Sequence, residues 1–529
     1  MLAMKRDRFW IHGLVAGAVA GVLAEAMVMR LNPEVGQPLG AILIGFVAWA
    51  SWGTLIAGVP VVLLQLLTRR LRRRESDWPA PFLIALMYFA AAVLSFANAD
   101  IHRSLLSATA RRVVIQDAVA WLFGTVLALL VGAIIRRRVP TRRWRVTFAV
   151  MMLLVPAARL VIRPTTGAAP LAVPVEAVGT PIRPLVVVGV EGLDIPALLT
   201  YAGGGHAPVL TGVMTDSAWG SVTPYRPFLR QSYWTTLATG TNPGSHGVKA
   251  HWGWRLPWLD GTLRLLPWTP QGSRLILPWW LGRRVTPPES TVPALWQRLR
   301  VSGVATEVIG WPGFWRSEVD RPTHTAAPVV ADEGLWSALE AALEAFPDAR
   351  DEVWRSIGQD RAALRSALDG LQSGVEVLWI RLGALATTRE LLEPLKPRHT
   401  GEREVVELVM EMVDSQLGEL LAVAPPDALV VFVSPYGLAP PSSYERLRRV
   451  IGIGDTWRTS GDRCWDGVLM IHGQGAAPGR RFQDRVLADM VPTLLYLVGL
   501  PLAQYMEGEV VIDAIDPTFL ETRPLVVDP

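Results

Sequence analysis

The sequence predicts a chain in two unlike parts: an N-terminal α-helical transmembrane bundle of about five spans, then an α/β domain with a mainly parallel central sheet. Three observations predict it. Half of the 529 residues are hydrophobic and only 19% are charged. The mean hydropathy is +0.29, too apolar for a typical soluble enzyme and far from a disordered chain. The charge is divided unevenly, residues 1–168 carrying 20 Lys+Arg and 7 Asp+Glu and residues 169–529 carrying 31 and 40. Beyond residue 185, short apolar runs alternate with helical stretches.

A basic apolar part joined to an acidic polar one is not the footprint of a nucleic-acid binder, whose excess charge lines one soluble surface. The single cysteine, Cys464, excludes an internal disulfide and a cysteine zinc cage. Arginine stands almost everywhere that lysine could, which we read as bacterial genome composition.

Five apolar stretches account for the first part: Trp10–Met29, Leu39–Leu67, Pro81–Ala97, Val113–Ile135 and Val146–Ile162. Each is near the ~20 residues that a spanning helix needs, the last being the shortest. Pro60 is expected to kink the second. Basic clusters at Lys5–Arg8, Arg69–Arg74 and Arg136–Arg145 fall on one side, and only Arg30, Arg103, Arg111, Arg112 and Arg163 on the other. The positive-inside rule then places the N-terminus in the cytoplasm and the C-terminal domain outside, in a multi-pass protein of the inner, cytoplasmic membrane. Glu25 and Asp117 lie within spans, near their outer ends. They form a proton or ion site, or else they reach the interface or pair with Arg111 or Arg112; the second reading is the expectation.

The organisation that follows is a transmembrane domain over 1–163, a Pro/Ala/Gly/Thr-rich linker over 164–184 and an extracytoplasmic domain over 185–529. In the last, Leu185–Val190, Ala305–Ile309, Val375–Ile380 and Ala428–Val433 read as buried parallel strands. Leu335–Phe346, Arg361–Gln372 and Arg403–Val423 read as helices. Ligands of such sheets bind beyond the C-terminal ends of the strands. The loops after Val190 and Val433, and the helix start near Ser232, are therefore where chemistry is sought.

Three blocks carry a family resemblance: VVVGVEGLDIPALL at 186–199, SYWTTLATGTNPGSHGV at 232–248 and DMVPTLLYLVGLPLAQYMEGEVV at 489–511. Residues 185–515 resemble the alkaline phosphatase superfamily, in its type I phosphodiesterase / nucleotide pyrophosphatase branch. That resemblance implies two metal ions, typically zinc, beside a Thr or Ser nucleophile. The positions that match the branch's functional residues are largely substituted. Its first aspartate ligand is Glu191 here. Its nucleophile, ten residues before Gly240, is Arg230, which cannot attack phosphorus. Its late Asp-His pair is replaced by Pro435-Tyr436. The stretch Trp379–Thr388 (WIRLGALATT) lacks the other Asp and His, and Arg463 stands at the last histidine. Glu191 alone is inadequate for zinc, so no metal site and no cofactor are expected. His246 matches a structural histidine of the branch.

Arg230 and Arg463, with Arg381 nearby, are expected to fill the vacated volume and neutralise Glu191, and Arg230 and Arg463 are candidate anion-binding residues. A Trp-rich segment at 251–280, with Trp252, Trp254, Trp258, Trp268, Trp279 and Trp280, reads as an insertion packing its own small core and as the candidate partner-binding surface. The expected function is a membrane-anchored pseudoenzyme with a binding or scaffolding role in the cell envelope. Its expected partners are the lipid bilayer and an envelope protein or anionic ligand, with no nucleic acid. The alternative is an active metal-dependent phosphodiesterase or phosphotransferase on envelope phosphoesters, holding two zinc ions. A transporter would need more polar intramembrane residues than these two.

Overall fold

The computed structural model describes residues 10–69, 80–138, 142–162, 173–226, 228–249, 252–268, 277, 282–284, 290–312, 333–392, 400–438 and 464–528. It divides into a helical unit, 1–170 with 249–288, and an α/β unit, 171–248 with 289–529. The division departs from the sequence-based boundaries at two places. Residues 171–184, expected to be linker, belong to the α/β unit. Residues 249–288, expected within the α/β domain, belong to the helical unit.

The helical unit contains α1 (Trp10–Leu31), α2 (Leu39–Gly53), a π-helical turn at Thr54–Gly58, α3 (Val59–Arg69), α4 (Ala80–Ile101), α5 (Ala108–Arg138) and α6 (Arg142–Ile162). Four stretches, Gly13–Leu31, Leu39–Leu64, Pro81–Ile101 and Ala108–Ile134, are long and apolar enough to cross a membrane. The fifth expected span forms α6, but its apolar part is only Thr147–Val161. The π turn just precedes Pro60, which has no N–H to donate and crowds the carbonyl one turn back. α1 is the most enclosed helix, with 72% of its apolar window buried against 28–44% for the others. Small residues let it approach α2 at backbone distance: a Cβ on Gly21 would lie 1.9 Å from the Trp49 carbonyl oxygen.

Segment 249–288 packs into this unit. Leu256, Leu259, Leu263 and Leu277 share a core with Val19, Leu23, Ile84 and Trp121. Two short strands, β3 (Trp252–Trp254) and β4 (Gly282–Arg284), pair antiparallel at its ends. Two buried asparagines hold its backbone. Asn32 at the end of α1 donates to the Leu265 carbonyl (2.8 Å) and accepts from the Arg264 and Leu265 N–H groups. Asn98 of α4 donates to the Trp268 carbonyl (3.0 Å) and accepts from its N–H (2.7 Å). Each side-chain amide substitutes for a strand neighbour, so the segment's polar backbone is satisfied where water is excluded. Trp279 and Trp280 lie outside the described residues.

The α/β unit runs β1 (Leu185–Val190), α7 (Ile195–Gly204), α8 (Pro208–Thr215), β2 (Ser217–Thr223), α9 (Arg230–Thr239) and α10 (Pro243–His246). After the segment just described come α11 (Leu295–Val301), β5 (Thr306–Ile309), α12 (Glu333–Leu343), α13 (Pro347–Gln372), β6 (Val377–Leu382), α14 (Ala384–Leu392) and α15 (Thr400–Val423). β7 (Leu429–Leu438), β8 (Cys464–His472) and β9 (Arg481–Val486) follow. The seven-stranded sheet has the order β5-β6-β1-β7-β8-β2-β9. The four strands read from the sequence are its parallel half, β5-β6-β1-β7. β8 runs antiparallel to both β7 and β2. Separate cores cover the two faces, one centred on Trp234, Trp296 and Trp379, the other on α13 and α15.

Candidate functional site

β1 ends in the middle of the parallel half, where its neighbours β6 and β7 deliver residues to the same edge. The Glu191 N–H still donates to the Leu382 carbonyl, extending the β6 ladder by one residue. The following turn is pinned. The Leu193 N–H donates to Ser434 Oγ, and Asp194 caps α7 through the Ala197 N–H. Arg389 ties Asp194 to α14 at 3.1 Å. The Glu191 side chain is left facing Arg381 and Tyr436.

Both carboxylate oxygens of Glu191 are engaged. Oε2 accepts from Arg381 Nη2 (2.6 Å) and Nε (3.1 Å), a fork that suits a guanidinium. Oε1 accepts from the Tyr436 hydroxyl. Burial raises the carboxyl pKa, but the Arg381 and Arg230 guanidinium groups and the Tyr436 hydroxyl outweigh it and hold Glu191 below its usual range. Burial drives the Tyr436 hydroxyl far above the ordinary tyrosine value, so it remains a donor.

Arg230 opens α9 and pairs with Glu390 of α14. Its guanidinium lies 5.6 Å from the Tyr436 ring centroid and 5.5 Å from that of Phe228. Arg381 sits 5.8 Å from the Trp234 ring centroid. Glu191, Arg230, Arg381 and Tyr436 thus gather at one sheet edge. The expected pairing of Glu191 with Arg230 or Arg463 is corrected for Arg230. Arg381 reaches Glu191 because β6 lies directly beside β1 with Arg381 in register with Gly189. Arg463 lies outside the described residues.

Pro435 and Tyr436 were expected in a loop; both lie inside β7, which continues to Leu438. The strand outlasts β1 because β8 supports it, pairing Tyr436 with Asp466 and Leu438 with Cys464. β1 has ended by that point, so the missing N–H of Pro435 breaks no ladder with it.

Ser232 is fully buried, donating to the Val248 carbonyl (2.7 Å) and accepting from Tyr225. It is a packing residue. His246 is likewise buried, taking the Val248 N–H on Nδ1 and contacting Thr236 Oγ1 through Nε2 (3.1 Å), which fits its structural reading. Near the WIRLGALATT block the buried acid is Asp360 from α13, which accepts from the Gly383 and Ala384 N–H groups at the start of α14. Burial lifts it to about 6 despite these bonds.

The donor set does not fit two zinc ions. Glu191 already faces a guanidinium and a phenol, and Glu390 is held by Arg230. No group of three or more His, Cys, Asp or Glu side chains suited to a metal occurs among the described residues. Two guanidinium groups meet two carboxylates, leaving the edge close to neutral.

Sequence reasoning placed Glu191, Arg230 and Tyr436 here and named Arg381 as a neighbour. It missed Glu390 and the wall of Trp234 and Trp311, whose indole N–H donates to the Trp234 carbonyl. No local motif announces Glu390; it reaches the site through the packing of α14.

No curated protein matches the chain. Among solved structures, it is similar to a murine ectonucleotide pyrophosphatase / phosphodiesterase 5, with 13% identity over 60% of this chain and 95% of that one and a TM-score of 0.34. It is similar to a 2-O GAG sulfatase, with 14% identity over 62% and 73% of the two chains and a TM-score of 0.41. It is also similar to the phosphonoacetate hydrolase of Sinorhizobium meliloti, with 12% identity over 54% and 66% and a TM-score of 0.30. The model of the family described as type I phosphodiesterase / nucleotide pyrophosphatase matches residues 185–489, from β1 to the turn that precedes the helix Met490–Leu497. With its three sequence blocks and its sheet, this chain belongs to the type I phosphodiesterase / nucleotide pyrophosphatase family.

Proposed function

We propose that the protein is a membrane-anchored pseudoenzyme of this family, with a binding or scaffolding role in the bacterial cell envelope. One observation carries the reading. The carboxylate at the family's first metal position is already neutralised by Arg381 and hydrogen-bonded by Tyr436, while Arg230 stands at the nucleophile position. Arg230 is itself spent on Glu390, so an anionic ligand would meet a neutral pair. That favours an envelope protein over a bound anion. The purified full-length protein is expected to bind no stoichiometric zinc and to turn over neither phosphomonoesters nor phosphodiesters. Bound zinc together with diesterase activity lost in Glu191→Ala would establish the active phosphodiesterase instead.

The arginine bias supports a cytoplasmic N-terminus and an α/β unit on the outer side of the inner membrane. A reporter active only outside the cytoplasm is expected to be active after Pro529 and silent after Arg74. The orientation depends on α6, whose apolar part is short. Activity at neither point would mean that α6 does not span, and the α/β unit would then be cytoplasmic.

A further inference from the structure

The helical unit contains a buried acid that no cation neutralises among the described residues. Glu25 of α1 is 1% exposed. Its Oε1 accepts from Gln37 Nε2 at 3.0 Å. Its Oε2 has no hydrogen-bond partner, and neither has Oε1 of the same Gln37, which is 3% exposed. Two acceptor oxygens are thus orphaned on two side chains that already share a hydrogen bond. Gly45 of α2 makes the room: a Cβ there would lie 2.1 Å from Glu25 Oε1 and 3.4 Å from the Trp258 indole nitrogen. Any side chain at 45 would displace the carboxylate.

Among the described residues Glu25 pairs with no arginine, and its side chain is enclosed within the helical unit. α2 and the π turn carry no ionisable residue. Arg30 and Arg159 are both bound to Asp117. Tyr88 of α4 donates to the Met152 carbonyl, and Arg111 of α5 to the Ala99 carbonyl. Asp100, Arg112, Arg255 and Asp260 are exposed. Lys249 pairs with Glu34, Arg264 lies beside Glu34, and His102 is buried near Lys249 at the end of α4. Arg69 ends α3, far along the chain from this acid.

A buried carboxylate without a counter-charge is costly, and so is each unpaired acceptor. One bound proton removes all three costs. It neutralises Glu25, makes Oε2 a donor, and gives Gln37 Oε1 the partner it lacks, closing an acid–amide pair. We propose that Glu25 and Gln37 form the binding site of one exchangeable proton in the helical unit. The step is a simple protonation, in which a carboxylate and a proton from water become a carboxylic acid.

Infrared difference spectroscopy of the full-length protein in lipid tests it, with the protonated-carboxyl C=O band as readout. At neutral pH the wild type is expected to show a band that Glu25→Gln lacks, and the band is expected to fade as the pH is raised. Gln37→Leu, which keeps the acid and removes its partner, is expected to move the band to higher frequency, and it serves if Glu25→Gln does not fold. No band attributable to Glu25 at neutral pH would overturn the proposal. A band that persists unchanged to high pH would overturn it as well, since the pair would then be permanently neutral and not an exchangeable site.

Discussion

Arg381→Ala is expected to destabilise the α/β unit by about 3–5 kcal/mol, because it strands the buried Glu191 carboxylate without its counter-charge. The side chain of Glu191 is 8% exposed and that of Arg381 26%. Most of the loss is the desolvation penalty of the charge left behind, not the intrinsic worth of the pair. Arg230→Ala is expected to cost less. Its side chain is 31% exposed and that of Glu390 13%, so water can reach Glu390 once it is gone. Susceptibility of the α/β unit to proteolysis in increasing urea measures both, with the exposed Arg350→Ala as control. Adding Glu191→Gln to Arg381→Ala is expected to recover much of the loss, since the amide can be buried without a counter-charge. If Arg381→Ala behaves like Arg350→Ala, the ion pair does not hold the site together.

Asp117→Ala is expected to have an effect of the same order on the helical unit. Asp117 accepts from Arg30 Nε at 2.7 Å on one oxygen and from Arg159 on the other. Its side chain is 3% exposed and that of Arg30 5%. Removing the acid leaves two guanidinium groups facing each other among apolar helices, at a cost of about 3–5 kcal/mol or more. Asp117→Asn keeps an acceptor and is expected to fall between wild type and alanine. The order of thermal aggregation midpoints in detergent checks this, with Arg111→Ala as control. Arg111 does not pair with Asp117; it donates to the Ala99 carbonyl. Equal loss in Arg111→Ala and Asp117→Ala would contradict this arrangement of charges.

The pairing of Asp117 illustrates what a sequence leaves open. Arg111 and Arg112 lie about one and a half turns away on the same helix and are the obvious partners by proximity in the chain. Arg30 and Arg159 come from other helices, 87 and 42 positions away. They reach Asp117 only because α1 and α6 pack on α5. The same holds at the sheet edge. Arg381 was known to be near Glu191, but its claim over Arg230 depends on the β1–β6 register. β2, β8 and β9 were not read because they mix polar and apolar residues, as in Ser217–Thr223, where a strand has one wet face.

By itself the sequence determined the division into an apolar basic part and an acidic α/β part, the four strands of the parallel half-sheet and the family blocks. These are properties of composition, periodicity and residue identity, all local along the chain. Only the tertiary structure decided that Arg381 neutralises Glu191, that Arg230 is taken by Glu390, that segment 249–288 joins the helical unit through Asn32 and Asn98, and that Glu25 meets Gln37. Each of those is a contact between distant segments. A buried charge or amide takes whichever partner the packing of helices and the register of strands bring within hydrogen-bond reach, and no periodicity along the chain encodes that distance.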